Sequence, residues 1–196
     1  MTTEGKLLAR AVPLVLLLAS GAAGGTEPGL KVTSNHRDYT IAGTTAPELR
    51  AAMDQLGPLD AGKRVDAVTK WWISWHYTYR QAGGSCAIAR ADVVVKIEFR
   101  LPVWRNSTSV GGSLLQQWQR YLQLLQRHED GHANDAIATG RALLHSLQRL
   151  PARPSCASLG STADALGEAQ LKRATVWDVA YDRRTHHGAT QGAVFP

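Results

Sequence analysis

From Ser113 to Leu150 the chain keeps a helical spacing of apolar residues, and Pro151 then closes it. Leu114, Trp118, Leu122, Leu125, His132, Ala136, Leu143 and Leu147 fall on or near one stripe, the pattern of a helix that buries a single face. Unbroken, it would run about 57 Å at a rise of 1.5 Å per residue. That is long for a chain of 196 residues, so other elements must cover one side of a rod. Gly131 and Gly140 lie inside the pattern, and a bend or break is expected at one of them.

Before the rod the period is that of strands. In "WWISWHYTYR" (71–80) Trp71, Ile73, Trp75, Tyr77 and Tyr79 share one face, and the polar residues, His76 among them, share the other. "DVVVKIEFRLP" (92–102) repeats the alternation and stops at Pro102. The intervening "QAGGSCAIA" suits a hairpin-like antiparallel pair but is too long for a tight turn. "DYTIAG" (38–43) reads as a short strand. A short helix follows, with Thr45 as N-cap, Pro47 in its first turn and Gly57-Pro58 as its stop. A last helix is expected from about Thr162 to Arg184, followed by the irregular tail "THHGATQGAVFP". The expected class is α+β: a small antiparallel sheet packed on the long helix and on the C-terminal helix.

The N-terminus is set aside as a secretory signal, residues 1–23. Lys6 and Arg10 precede the apolar run "AVPLVLLLA" (11–19) and the small residues "SGAAGG". An uncleaved anchor is the alternative, but the run is shorter than the roughly 20 residues of a normal span, and no other segment qualifies. Residues 24–35, rich in Gly, Thr, Pro and Ser, are expected to be flexible, which leaves one domain over 36–196. The signal removes Lys6, Arg10 and Glu4 from totals of 22 basic and 16 acidic residues, leaving 20 and 15, or +5 in place of +6. The arginines are scattered, which argues for a solvated basic surface and against a nucleic-acid partner. In an exported chain, Cys86 and Cys156 are expected to form one disulfide.

The chemistry is concentrated in "QRHEDGHANDA" (126–136). His128 and His132, four apart, lie about 40° apart around a helix and about 6 Å apart along it. They can hold one Zn2+ ion from consecutive turns, with Glu129 beside the first as general base: the H-E-x-x-H arrangement. Neutral imidazoles bind zinc without cancelling its charge, and the ion lowers the pKa of its water toward ~7. The bland alternative is a pair of hydrogen-bonded core histidines, but an inward Glu129 beside them would be costly without an ion. His145 is too far along the helix to reach the same ion. A third ligand must come from downstream, and Glu168, Asp178, Asp182, His186 and His187 are the candidates. Tyr181 or His186 is placed to stabilise an oxyanion.

These residues, with "YTIAGTTAPELR", the aromatic strand from Thr69 to Tyr77, Cys86, "LPVW" (101–104) and "YDRRTHHGATQGAVFP", carry a resemblance over nearly all of the chain that follows the signal. The chain resembles the bacterial family of predicted secreted zinc-dependent proteases, catalogued largely as a domain of unknown function. The family's Y-D-x-x-T-x-H-G signature falls on Tyr181, Asp182, Thr185, His187 and Gly188. The resemblance implies a zincin-like fold and favours His187 as third ligand. Asp182 is then a rival ligand or the partner that orients a histidine. The function expected is a secreted or periplasmic zinc metallopeptidase acting on a peptide or protein substrate. A peptidoglycan amidase cutting cell-wall peptides with the same site is the first alternative. The second is a non-catalytic envelope binding protein with a structural metal or none.

Overall fold

Alternating apolar residues build the centre of the molecule. In the computed structural model, which describes residues 27–105, 107 and 112–196, the two predicted strands are longer than their alternation suggested. They are numbered here in chain order, after two short strands, β1 (Leu30–His36) and β2 (Tyr39–Ile41), a helix α1 (Ala46–Leu56) and a small hairpin of β3 (Leu59–Asp60) and β4 (Lys63–Arg64). The long pair are β5 (Val68–Ala82) and β6 (Ser85–Arg100), antiparallel along their whole length. The expected signal, 1–23, lies outside the described residues.

The connection between β5 and β6 corrects an expectation. It is a two-residue turn, Gly83-Gly84, with φ of +57° and +74° and Ala82 opposite Ser85. Two successive left-handed residues match the twist of a hairpin, and glycine adopts them at no steric cost. "QAGGSCAIA" was therefore turn and strand together. A bulge where the pairing shifts between Thr78 and Tyr79 absorbs the extra residue.

A second correction concerns 24–35. Leu30–His36 is not a flexible lead-in but a strand, paired in parallel with β6 from Leu30 opposite Val93 to His36 opposite Phe99. Its side chains are almost all exposed, so it has no apolar face to betray it. The ladder of backbone hydrogen bonds holds it, helped at its ends by Leu30 against the core and by the His36 ring stacked on Phe99. The sheet order is β1-β6-β5, and the sheet is mixed rather than wholly antiparallel. The same ladder continues into β2 and β7 (Pro102–Trp104), again in parallel.

The rod is real. α2 runs Ser113–Gln148 without interruption, about 54 Å. Gly131 and Gly140 do not break it; they let neighbours approach. A side-chain carbon on Gly140 would stand 2.4 Å from Val95 Cγ2, and one on Gly131 would stand 2.3 Å from Tyr181 Oη. Val93, Val95 and Ile97 pack against Ala136, Leu143 and Leu144 in a continuous core. Burying each large aliphatic side chain there contributes about 1.5–3 kcal/mol.

α3 (Cys156–Thr185) starts six residues earlier than expected, capped by the Ser155 hydroxyl, which accepts from the Ser158 amide at 3.2 Å. It lies across the aromatic face of β5 at small residues. Trp75 fills the space over Gly167, and Tyr79 reaches over Gly160. Trp75 Nε1 and Tyr77 Oη both donate to Asp164. The Cys86–Cys156 disulfide ties the start of α3 to β6 and closes a separation of 70 residues, worth about 4 kcal/mol in the chain-entropy account. Among the described residues no helix is long and apolar enough to cross a membrane.

Candidate metal centre

Two helices meet at the site. α2 turns His128, Glu129 and His132 inward, where they are 2%, 3% and 5% exposed. Three adjacent ionisable groups this deep need partners, because desolvating a charge without compensation is costly. α3 supplies them. Asp182 Oδ1 stands 3.1 Å from His128 Nε2 and 3.1 Å from His132 Nε2, and the two Nε2 atoms are 3.3 Å apart. Among the described residues this is the group of side chains that converges closely enough to hold an ion.

The other face of each imidazole is also occupied. His132 Nδ1 donates to Asp178 Oδ1 at 2.6 Å, and His128 Nδ1 donates to Gln191 Oε1 at 2.9 Å. A proton on each Nδ1 is what leaves Nε2 free to bind a cation. Gln191 is itself held by Tyr181, whose hydroxyl accepts from the Gln191 amide at 3.1 Å. The Tyr181 ring is stacked between His128 and Trp177, with centroids 4.9 and 4.8 Å away.

The donor set fits zinc. Four ligands at ~2.0–2.1 Å in a tetrahedron lie about 3.3 Å from one another, close to the three separations found. Two imidazoles and one carboxylate leave a fourth position, the pattern of a reactive rather than a closed site.

Charge follows from these contacts. Burial pushes Glu129 above the usual carboxylate range, against the opposing pull of the Thr69 hydroxyl and the two histidines. Asp182 is also raised by burial, but the hydrogen bonds from His128 and His132 outweigh that and hold it well below the usual range. For His132 burial alone would lower the value; Asp178 and Asp182, one at each nitrogen, push it up to about 10. In the metal-free protein the His132 contribution to stability is thus fully present below about 6.5 and is lost as pH rises through about 10. An ion taken up there must displace that proton. Zinc affinity of the metal-free protein is therefore expected to rise about tenfold per pH unit between roughly pH 6 and 8. Competition against a chelator of known pH dependence measures it, and a flat profile would mean that the ion does not take His132.

The predicted candidates separate cleanly. Asp182 converges with the two histidines. His187 Nδ1 is 3.5 Å from Asp182 Oδ1 and its side chain is 58% exposed, so it stands beside the cluster rather than closing it. Asp178 orients His132 from behind. Glu168 is on the solvent side of α3, nearly three turns before Asp178. His186 caps α3 in a left-handed conformation, φ +50°, and lines the site cavity with His187. Tyr181 does not take the expected oxyanion position: its hydroxyl is directed at the His128 carbonyl and Gln191.

Two contributors were not foreseen. Thr69 Oγ1 donates to Glu129 Oε2 at 2.7 Å. It had a signal, being the one polar residue among the odd-numbered positions of β5 that face the core through Trp75. Gln191 had none, because only the fold-back of the tail brings it to His128. The cavity in front of these groups has a volume of about 460 Å³, and Arg64, Val179 and Val194 are among the residues that line it.

Residues 36–188 match the sequence profile of a family described as a bacterial protein of unknown function (DUF922). No curated protein matches the chain. No solved structure matches it.

Proposed function

The chain belongs to that bacterial family of unknown function, and within it we propose that the protein is an exported, zinc-dependent metallopeptidase of zincin-like design. The observation that carries the reading is the convergence of His128 Nε2, His132 Nε2 and Asp182 Oδ1 within 3.1–3.3 Å, beside the buried carboxylate of Glu129. A core histidine pair needs neither a shared carboxylate nor a second carboxyl group buried next to it.

His128, His132 and Asp182 would hold the ion. Zinc in such a site polarises a carbonyl and lowers the pKa of water toward ~7. Glu129 takes the proton of the attacking water and hands it to the leaving amine. Thr69 engages Oε2 and leaves Oε1 as the oxygen for the moving proton. His186 and His187, on the cavity wall, are positioned to donate to the oxyanion that develops on the substrate carbonyl. β5 is an edge strand that begins at Thr69's end of the site, and an extended peptide can add to such an edge through its backbone.

The test is hydrolysis by the zinc-loaded protein of denatured casein and, in parallel, of purified wall fragments. New peptide amino termini from casein, abolished by a chelator and restored by zinc, are the expected result. Release from wall fragments alone would move the activity to an amidase. No cleavage of either by a protein that holds its zinc would turn the reading to a binding protein with a structural ion.

A further inference from the structure

We propose that the outer face of α3 docks the protein on an anionic lipid surface. α3 divides its charge by side. Its acids Asp164, Asp178 and Asp182 are turned inward, to Tyr77 and Trp75, to His132, and to the histidine pair respectively. Lys172, Arg173, Arg183 and Arg184 are all exposed. At about 100° per residue they bracket a stripe formed by Ala169, Val176 and Ala180. Val176 is 63% exposed, and Val179 at the edge of the same face is 65% exposed. Glu168 is the one acid at this face's margin.

Helix-dipole compensation accounts for Arg183 and Arg184 in the last turn, but Lys172 and Arg173 lie in mid-helix. Among the described residues none of the four makes an ion pair, whereas Arg37, Arg50, Arg90 and Arg141 do. Glu168 and Lys172 have the i, i+4 spacing for one and do not form it. The result is an unneutralised basic margin around small apolar side chains on one helix face. That chemistry complements a plane of anionic headgroups, into which alanine and valine sink shallowly. These side chains and the half-buried Trp177 line a depression of about 530 Å³ on this face, and an indole beside lysine and arginine suits the headgroup level of a bilayer. The face adjoins the site, because Val179 also lines the cavity, so docking would hold the cavity mouth close to the lipid.

The described residues contain no free cysteine, so a single one can be introduced as a reporter. An environment-sensitive dye is attached to Val176→Cys in the full chain, with Val32→Cys on β1 as the control position. With vesicles one third phosphatidylglycerol in phosphatidylcholine, a blue shift is expected at position 176 and not at 32. It should be absent with pure phosphatidylcholine and be reversed by salt. At about fivefold per basic residue, Arg173→Glu with Arg184→Glu should weaken the apparent affinity at least about 25-fold. The reporter position makes the result independent of any binding by the N-terminal apolar segment. No shift at 176, an equal shift on neutral lipid, or a shift unchanged by the charge reversal would overturn the proposal. A shift with soluble polyglutamate or polyphosphate but not with vesicles would also overturn it, in favour of an acidic polymer.

Discussion

Glu129→Gln is expected to lower peptide hydrolysis by roughly 10²–10⁴, the usual contribution of a general acid–base group, with zinc content unchanged. The amide matches the carboxylate in size and still accepts the Thr69 hydroxyl, which stands 2.7 Å from Oε2 in the parent. It cannot take a proton from water. Glu129 also sits in a 3% exposed position, so replacing a desolvated carboxylate by a neutral amide should leave the fold as stable or make it more so. Activity and stability therefore move independently, and measuring kcat, zinc by plasma mass spectrometry and the thermal midpoint on the same preparation separates them. Activity retained within a few-fold of the parent would remove Glu129 from the reaction. Activity and zinc lost together would instead make Glu129 a ligand.

The second large effect distinguishes the residues of α3. Asp182→Ala is expected to weaken zinc binding more than about 100-fold, beyond the 10–100-fold typical of residues that only orient a ligand. Asp178→Asn should fall within that lower range, because it keeps a partner for His132 Nδ1 but weakens the hydrogen bond. His187→Ala should leave zinc content intact and reduce kcat, in keeping with an exposed ring 3.5 Å from Asp182 Oδ1. Metal affinity by competition and kcat at saturating zinc read the two roles apart. Zinc lost from His187→Ala and kept by Asp182→Ala would reverse the assignment and restore the signature histidine as third ligand.

Legibility in the sequence tracked how local the determining physics was. The inward turn of His128, Glu129 and His132 follows from helical spacing, and the structure buries all three. The core face of β5 follows from alternation in the same way. β1 is hidden because the backbone ladder carries most of its pairing and its side chains, exposed except for Leu30, carry no alternation. The Gly83-Gly84 turn is masked because the strand residues on either side of it resemble loop. The choice between Asp182 and His187 turns on where α3 stops. Asp182 is still helical and shares a face with Asp178, whereas His187 lies within a reversal, the second of two left-handed residues after His186, at φ +50° and +51°. Histidine tolerates that conformation better than most side chains, so spacing alone does not announce it. Gln191 depends on the same reversal.

Asp178 and Asp182 are chemically identical and one turn apart, so sliding α3 by a turn, about 6 Å, would exchange them at the histidines. Ring-to-glycine contacts forbid that slide. Tyr181 rests where Gly131 has no side chain; displaced by four residues it would meet Arg127 or Asp135. Trp75 would likewise lose Gly167 and meet Ala163 or Leu171. The glycines thus act as alignment keys between otherwise interchangeable positions: they select which of two equal carboxylates faces the cation and which stays behind the imidazole.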